Sequence, residues 1–175
     1  MRIANTVDDS IVDGHGLRFV VFTQGCVRNC HGCHNPGTHD PLGGKEIRVQ
    51  DIAQELSKNP LIEGLTLSGG EPFLQAKECA ELARIAKAKG LNVWTYTGYT
   101  YEQILHADNP EWNDLLRQTD VLVDGPFLEE KKSYELHFRG SWNQRLIDVS
   151  SSLIRGRTVE WIEHDPLSKF KVPES

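Results

Sequence analysis

The stretch Cys26-Val-Arg-Asn-Cys30-His-Gly-Cys33 places three thiols in one short loop. Four chemistries compete for such a loop. A disulfide framework needs an oxidising compartment and paired cysteines, and the odd local count argues against it. Structural zinc would take His31 or His34 as the fourth ligand of a Cys3His set, but such sites usually draw their ligands as two pairs, and no second pair follows. Three cysteines packed as small hydrophobes fit poorly beside Arg28, Asn29 and Gly32. An iron–sulfur cluster fits best. Four-iron clusters are normally held by four thiolates, so three would leave one iron with an open position, and the i, i+4, i+7 spacing lets a single loop wrap one cluster.

A second candidate is Ser68-Gly-Gly-Glu-Pro72. Two glycines let backbone come close to a ligand, and the Glu71 carboxylate can accept from an ammonium group. Taken alone, the motif reads equally well as a turn entering a helix. The fourth cysteine, Cys79, shares helical spacing with Leu82, Ala83 and Ala86 and reads as core. His39, His106, His137 and His164 stand alone and read as surface or structural residues. His15, between two glycines, reads as a loop histidine or as part of a functional element.

The elements that must position these residues alternate between strand and helix. Leu17–Phe22, Leu61–Leu67, Asn92–Tyr96 and Val121–Val123 read as strands, with a fifth over Leu146–Val149. Val49, Ile52, Ala53 and Leu56 share one face of a helix stopped by Asn59-Pro60. Ala76–Lys89 is a helix closed by Gly90, and Tyr101–Leu105 and Trp112–Gln118 are shorter helical pieces. This alternation predicts βα units and a mainly parallel sheet. Cys26, the Gly-Gly-Glu, Thr97-Gly98 and Asp124 each follow the C-terminal end of a strand, the rim where parallel α/β proteins bind ligands. Trp94 is expected to pack beneath the sheet.

At 175 residues the chain has the length of one domain. Its net charge of −6 disfavours a phosphate-neutralising nucleic-acid face. No apolar run reaches the ~18 residues of a membrane helix, and the N-terminus lacks the layout of a signal peptide. A cytoplasmic protein that binds neither nucleic acid nor membrane is expected.

With these motifs in order, the chain resembles the radical S-adenosylmethionine superfamily. Asp13-Gly-His-Gly-Leu-Arg18 resembles the D-G-x-G-[IL]-R element of glycyl-radical-enzyme activases. Thr97–Tyr101, Asp120–Phe127 and Arg139–Arg145 resemble the activating proteins of anaerobic (class III) ribonucleoside-triphosphate reductases. The resemblance implies an α/β fold, a partial open (βα) barrel with a mainly parallel sheet. It implies a [4Fe-4S] cluster on Cys26, Cys30 and Cys33, whose open iron chelates S-adenosylmethionine. It places the cofactor against Gly69, Gly70, Glu71, Pro72, Thr97 and Asp124, with Asp124 alternatively beside a monovalent cation. His34 or His31 would take the adenine side, because Gly32 stands where many superfamily members carry an aromatic residue.

The chemistry implied is reductive cleavage of S-adenosylmethionine and removal of a hydrogen atom from a glycine of the reductase's glycyl-radical subunit. A low-potential donor such as flavodoxin or ferredoxin would supply the electron. The cofactors would carry the chemistry, so no side chain is expected to act as a catalytic acid or base. Asp13 and Arg18 would shape the mouth for the partner or pair with each other, and Trp142 would be exposed or touch the partner. The division expected is an activase domain over 1–155 and a C-terminal extension over 156–175. A radical enzyme acting on a small molecule such as a deazapurine precursor, or a zinc-binding interaction module, are the alternatives.

Overall fold

The computed structural model describes residues 1–163. His164 and the remainder of the expected extension lie outside them. Seven strands form one sheet, β1 (Arg2–Ser10), β2 (Arg18–Thr23), β3 (Lys45–Glu46), β4 (Gly64–Gly69), β5 (Asn92–Tyr96), β6 (Val121–Asp124) and β7 (Arg145–Asp148). Their order is β3-β1-β2-β4-β5-β6-β7. The central run β2-β4-β5-β6 is parallel, whereas β1 and β7 attach antiparallel at its two sides. The sheet does not close on itself, and its architecture is the partial barrel expected.

Side chains alternate across the strands. Phe19, Val21, Leu65, Leu67, Val93, Leu122 and Ile147 face the helices α1 (Val49–Leu56), α2 (Ala76–Ala88), α3 (Tyr101–Leu105) and α4 (Pro110–Gln118) in the main core. The opposite phase builds a second cluster, in which buried Trp94, Val121 and Val123 pack with Tyr96, Phe138, Leu146 and Trp161. Helix α2 lies close on the sheet because small residues, Ala76, Cys79, Ala80, Ala83 and Ala86, form its buried face. Thr100 and Gln103 start α3 with a reciprocal capping box. Asn109 and Pro110 start α4.

The main departures from the sequence expectation are β1, the start of β4 and a helix after β7, beside the two-residue strand β3. Strand β1 was unanticipated: its residues alternate poorly, and its pairing with β2 slips between Ile3 and Asn5 and between Val7 and Ser10. Strand β4 starts at Gly64, three residues later than expected, because Asn59 and Pro60 hold Leu61 in an exposed turn. A further helix, α5 (Val149–Arg155), follows β7 directly, its first turn capped by the Asp148 carboxylate on Ser151 N–H.

Arg18 neither reaches the mouth nor pairs with Asp13. It is fully buried inside the barrel, its guanidinium 5.3 Å from the Trp94 ring centroid. Its N–H groups donate to Thr66 Oγ1, Asn92 Oδ1 and the carbonyls of His15 and Leu65. Burial lowers its pKa to about 10, which leaves it charged at neutral pH. Thr66 in turn donates to the Asp13 carbonyl. The Asp13–Arg18 segment is thereby fastened against β4 and β5.

Candidate active site

A cavity of about 420 Å3 opens at the C-terminal ends of β2, β4 and β5. The three loop cysteines, Gly69, Gly70, Glu71, Thr97 and His34 all line it. The cysteine loop leaves β2 through Gly25, at φ 100°, and is tied to its own return. Gly25 and Cys26 N–H donate to the carbonyls of Thr38 and His39, and the Gln24 amide donates to those of Gly37 and Asp40. All three thiols are half-buried, and Cys79 is buried in the core as expected. Burial pushes the Cys26 thiol up, against backbone N–H groups of Arg28 and Asn29 that favour its thiolate. Among the described residues no group of three His, Cys, Asp or Glu is placed to hold a single ion; the thiols instead share the wall of a larger space.

The two glycines of the Gly-Gly-Glu line the cavity and also let two backbone segments meet. Gly69 has φ 94°, and a Cβ there would lie 2.6 Å from the backbone of Phe22 and Thr23. A Cβ on Gly70 would overlap the Gly25 carbonyl oxygen. Gly70 N–H donates to Thr23 O at 2.8 Å and Glu71 N–H to Gly25 O at 2.9 Å. The absent side chains let the exit of β4 dock directly on the stem of the cysteine loop, so backbone hydrogen bonds tie the three-thiol loop to the Glu71 segment.

Glu71 is 1% exposed. Its Oε1 accepts from Thr97 Oγ1 at 2.8 Å and from Phe73 N–H at 3.2 Å, and its Oε2 from Gly98 N–H at 2.9 Å. These donors are neutral. Desolvation raises its pKa, opposed by the same hydrogen bonds and by the charge of Arg28. Each carboxylate oxygen accepts about two hydrogen bonds, so Oε2 keeps capacity for one more donor.

The remaining residues separate. Thr97 lines the cavity and orients Glu71. Pro72 is buried at the start of a 3-10 turn and fixes the chain beyond Glu71. His34 lines the cavity with its ring 4.8 Å from that of Phe127, whereas His31 is exposed and engages Glu129. Asp124 stands behind the cavity wall, which is Gly125 at that point. Its carboxylate accepts from Tyr101 N–H and from Nε and Nη2 of Arg145, at 3.0 and 2.5 Å for the two arginine contacts.

Sequence reasoning passed over Arg28 and Tyr96 on the cavity wall, and singled out the segments that carry Phe127 and Arg139 without assigning those side chains a role. Arg28 carried a signal, as a cation set between two candidate metal ligands.

The donor set fits an iron–sulfur cluster: soft thiols, three of them, on one wall of one cavity. Comparison with known proteins agrees. Residues 12–147 match the sequence family described as a 4Fe-4S single cluster domain. The chain is 35% identical over 142 residues to the anaerobic ribonucleoside-triphosphate reductase-activating protein of Enterobacteria phage T4, spanning 77% of this chain and 86% of that one. The protein of the same name from Vibrio cholerae is 34% identical over 142 residues, 77% of this chain and 89% of its own. The chain belongs to the anaerobic ribonucleoside-triphosphate reductase-activating protein family.

Within that family the chain is a radical S-adenosylmethionine enzyme of the glycyl-radical-activating type, with a [4Fe-4S] cluster and S-adenosylmethionine as cofactors. It is also 33% identical over 162 residues to the pyruvate formate-lyase-activating enzyme of Staphylococcus epidermidis, of which it spans 63%. Among the described residues no helix is long and apolar enough to cross a membrane.

Proposed function

We propose that this activase removes a hydrogen atom from the α-carbon of a glycine in anaerobic ribonucleoside-triphosphate reductase, leaving a glycyl radical on that partner. The observation that carries this reading is the union of the three-thiol loop with Glu71 in one open cavity, through the backbone contacts of Gly69 and Gly70. When bound, the cluster and S-adenosylmethionine supply one-electron cleavage of a carbon–sulfur bond and a strong hydrogen-atom acceptor.

The chain's own residues hold and orient. Cys26, Cys30 and Cys33 hold the cluster. Glu71 takes the ammonium of the cofactor's amino-acid end on its open Oε2 lone pair, and Thr97 fixes the carboxylate that does so. The Gly69–Gly70 turn sets the distance between them, with Pro72 behind it. His34, braced by Phe127, walls the adenine side. Asp124 acts from outside the cavity by holding the exit of β6. The 1–155 segment contains all of these residues. A low-potential donor such as flavodoxin or ferredoxin supplies the electron, and the reaction belongs to the cytoplasm.

The cavity is open to solvent, and closure by a correct partner completes many catalytic sites. The anaerobically reconstituted chain, a reductant, S-adenosylmethionine and the reductase should therefore give a glycyl-radical paramagnetic resonance signal on the reductase. Efficient turnover of a small molecule, with no radical on the reductase, would instead favour a small-molecule radical enzyme.

A further inference from the structure

Arg28 lies between the first two cysteines and lines the main cavity. Its guanidinium stacks on Tyr99, 4.2 Å from the ring centroid. Its Cδ lies so close to Gly98 that a Cβ there would overlap it. This seat fixes the group without satisfying it. Stacking uses the face of the guanidinium plane, while its five N–H groups point outward from the edge. Nε is buried without a hydrogen-bond partner. Among the described residues no carboxylate forms an ion pair with Arg28. A buried donor left unmade is costly, and a held cation with unmet donors in a cavity calls for an anion there.

Gly98, against which Arg28 is seated, donates its N–H to Glu71 Oε2 at 2.9 Å, and both side chains line the cavity, yet the two do not form an ion pair. The cavity thus presents one fixed negative group and one fixed positive group side by side. That pattern is complementary to an α-amino acid zwitterion, ammonium toward the carboxylate and carboxylate toward the guanidinium.

We propose that Arg28 binds the carboxylate of the cofactor's amino-acid end and, with Glu71, orients the zwitterion. This rests on the reading of the cavity as the S-adenosylmethionine site. A carboxylate has two oxygens and about four lone-pair sites, so Arg28 can share it with another ligand. The Arg28 guanidinium is a bidentate donor suited to that group.

The test is equilibrium binding of S-adenosylmethionine and of its decarboxylated analogue to iron-reconstituted protein, with iron counted per chain. Arg28→Gln should weaken S-adenosylmethionine by about tenfold or more, the size of a charge-assisted contact. The analogue, which has no carboxylate, should lose less than about threefold, and Arg28→Lys should restore part of the loss because the charge returns without the fork. Equal losses for both ligands, unchanged binding of S-adenosylmethionine, or loss of iron from both variants would each overturn the assignment; the last would place Arg28 on the cluster or in the fold of the loop. If the unaltered protein binds no S-adenosylmethionine, the reading of the cavity itself fails. If it binds and only the Arg28 variants behave like it, Arg28 alone is misassigned.

Discussion

Glu71 and Asp124 are both 1% exposed and both stand where a parallel strand ends, yet their charges are met in opposite ways. At the exit of β6, Asp124 is neutralised by Arg145, which also grips Glu102 on α3 at 2.7 Å. The two carboxylates hold the Arg145 pKa above its ordinary value, Asp124 contributing most. At the exit of β4, Glu71 is held by two backbone N–H groups and a hydroxyl, and its charge stays unpaired. A buried charge with only dipolar partners is costly, and desolvation raises its pKa accordingly. Equal burial thus conceals a carboxylate clamped by an arginine in one case and a carboxylate held only by neutral donors in the other. What distinguishes them is the type of partner, which no burial pattern reveals.

The largest effect should come from removing the thiols that share the cavity with Glu71. Cys26→Ser, Cys30→Ser or Cys33→Ser should each lose most of the iron on anaerobic reconstitution, and Cys79→Ser should keep it, because Cys79 is wholly within the core. Iron retained by any of the three and lost from Cys79→Ser would reverse the ligand assignment.

Next in size is the swap between the two carboxylates. Glu71→Gln should keep its iron and bind S-adenosylmethionine roughly tenfold to a hundredfold more weakly, the equivalent of about 1.5–3 kcal/mol for a charge-assisted hydrogen bond. Asp124→Asn should change that affinity less than about twofold. It should instead lower stability in denaturant by about 1–3 kcal/mol, below the roughly 3–5 kcal/mol of a fully buried pair because Arg145 is partly exposed. A cofactor defect in Asp124→Asn larger than that in Glu71→Gln would exchange their roles.

The same contrast is legible in pH. The ammonium needs ionised Glu71, so affinity is complete above the raised pKa and falls as pH drops through it, earlier on acidification than for an ordinary carboxylate. The sign for ligand-free stability is opposite. A raised folded-state pKa makes this group's contribution greatest below its unfolded value, and it is lost as pH rises through the folded one. Binding titrations from neutral to mildly acidic pH should show the early fall in the unaltered protein and not in Glu71→Gln. Identical profiles would detach Glu71 from the ligand.

The smallest effect is expected at Trp142, 60% exposed on the segment before β7. Trp142→Ala should move stability by no more than about 0.5 kcal/mol and leave S-adenosylmethionine binding unchanged; a calorimetric scan beside the same titration checks both. A loss of cofactor affinity there would extend the site beyond the cavity wall.

The sequence displayed the metal loop and the Gly-Gly-Glu because their residue types are unusual at that spacing. It displayed α1 and α2 because their apolar positions keep helical period. Strand β1 was hidden by its mixed residues and two register slips, and α5 by three consecutive serines, which are poor helix formers in the absence of the Asp148 cap. The backbone contacts of Gly69 and Gly70 were not legible, since only the fold brings the backbone of Phe22 and Gly25 against them. Asp124 looked like Glu71 in sequence, for Arg145 comes 21 residues later and meets it only across the β6–β7 pair. Arg28 was overlooked because Tyr99 and Gly98, which seat it, arrive from another strand exit.

The central claim, direct removal of hydrogen from a glycine of the partner, is tested most directly by following that hydrogen. Reductase produced with glycine deuterated at its α-carbon is mixed with the reduced, reconstituted chain and S-adenosylmethionine, and the 5′-deoxyadenosine formed is weighed by mass spectrometry. One deuterium per molecule, in step with the glycyl radical appearing on the reductase, is the expected result; 5′-deoxyadenosine free of deuterium while that radical accumulates would contradict it.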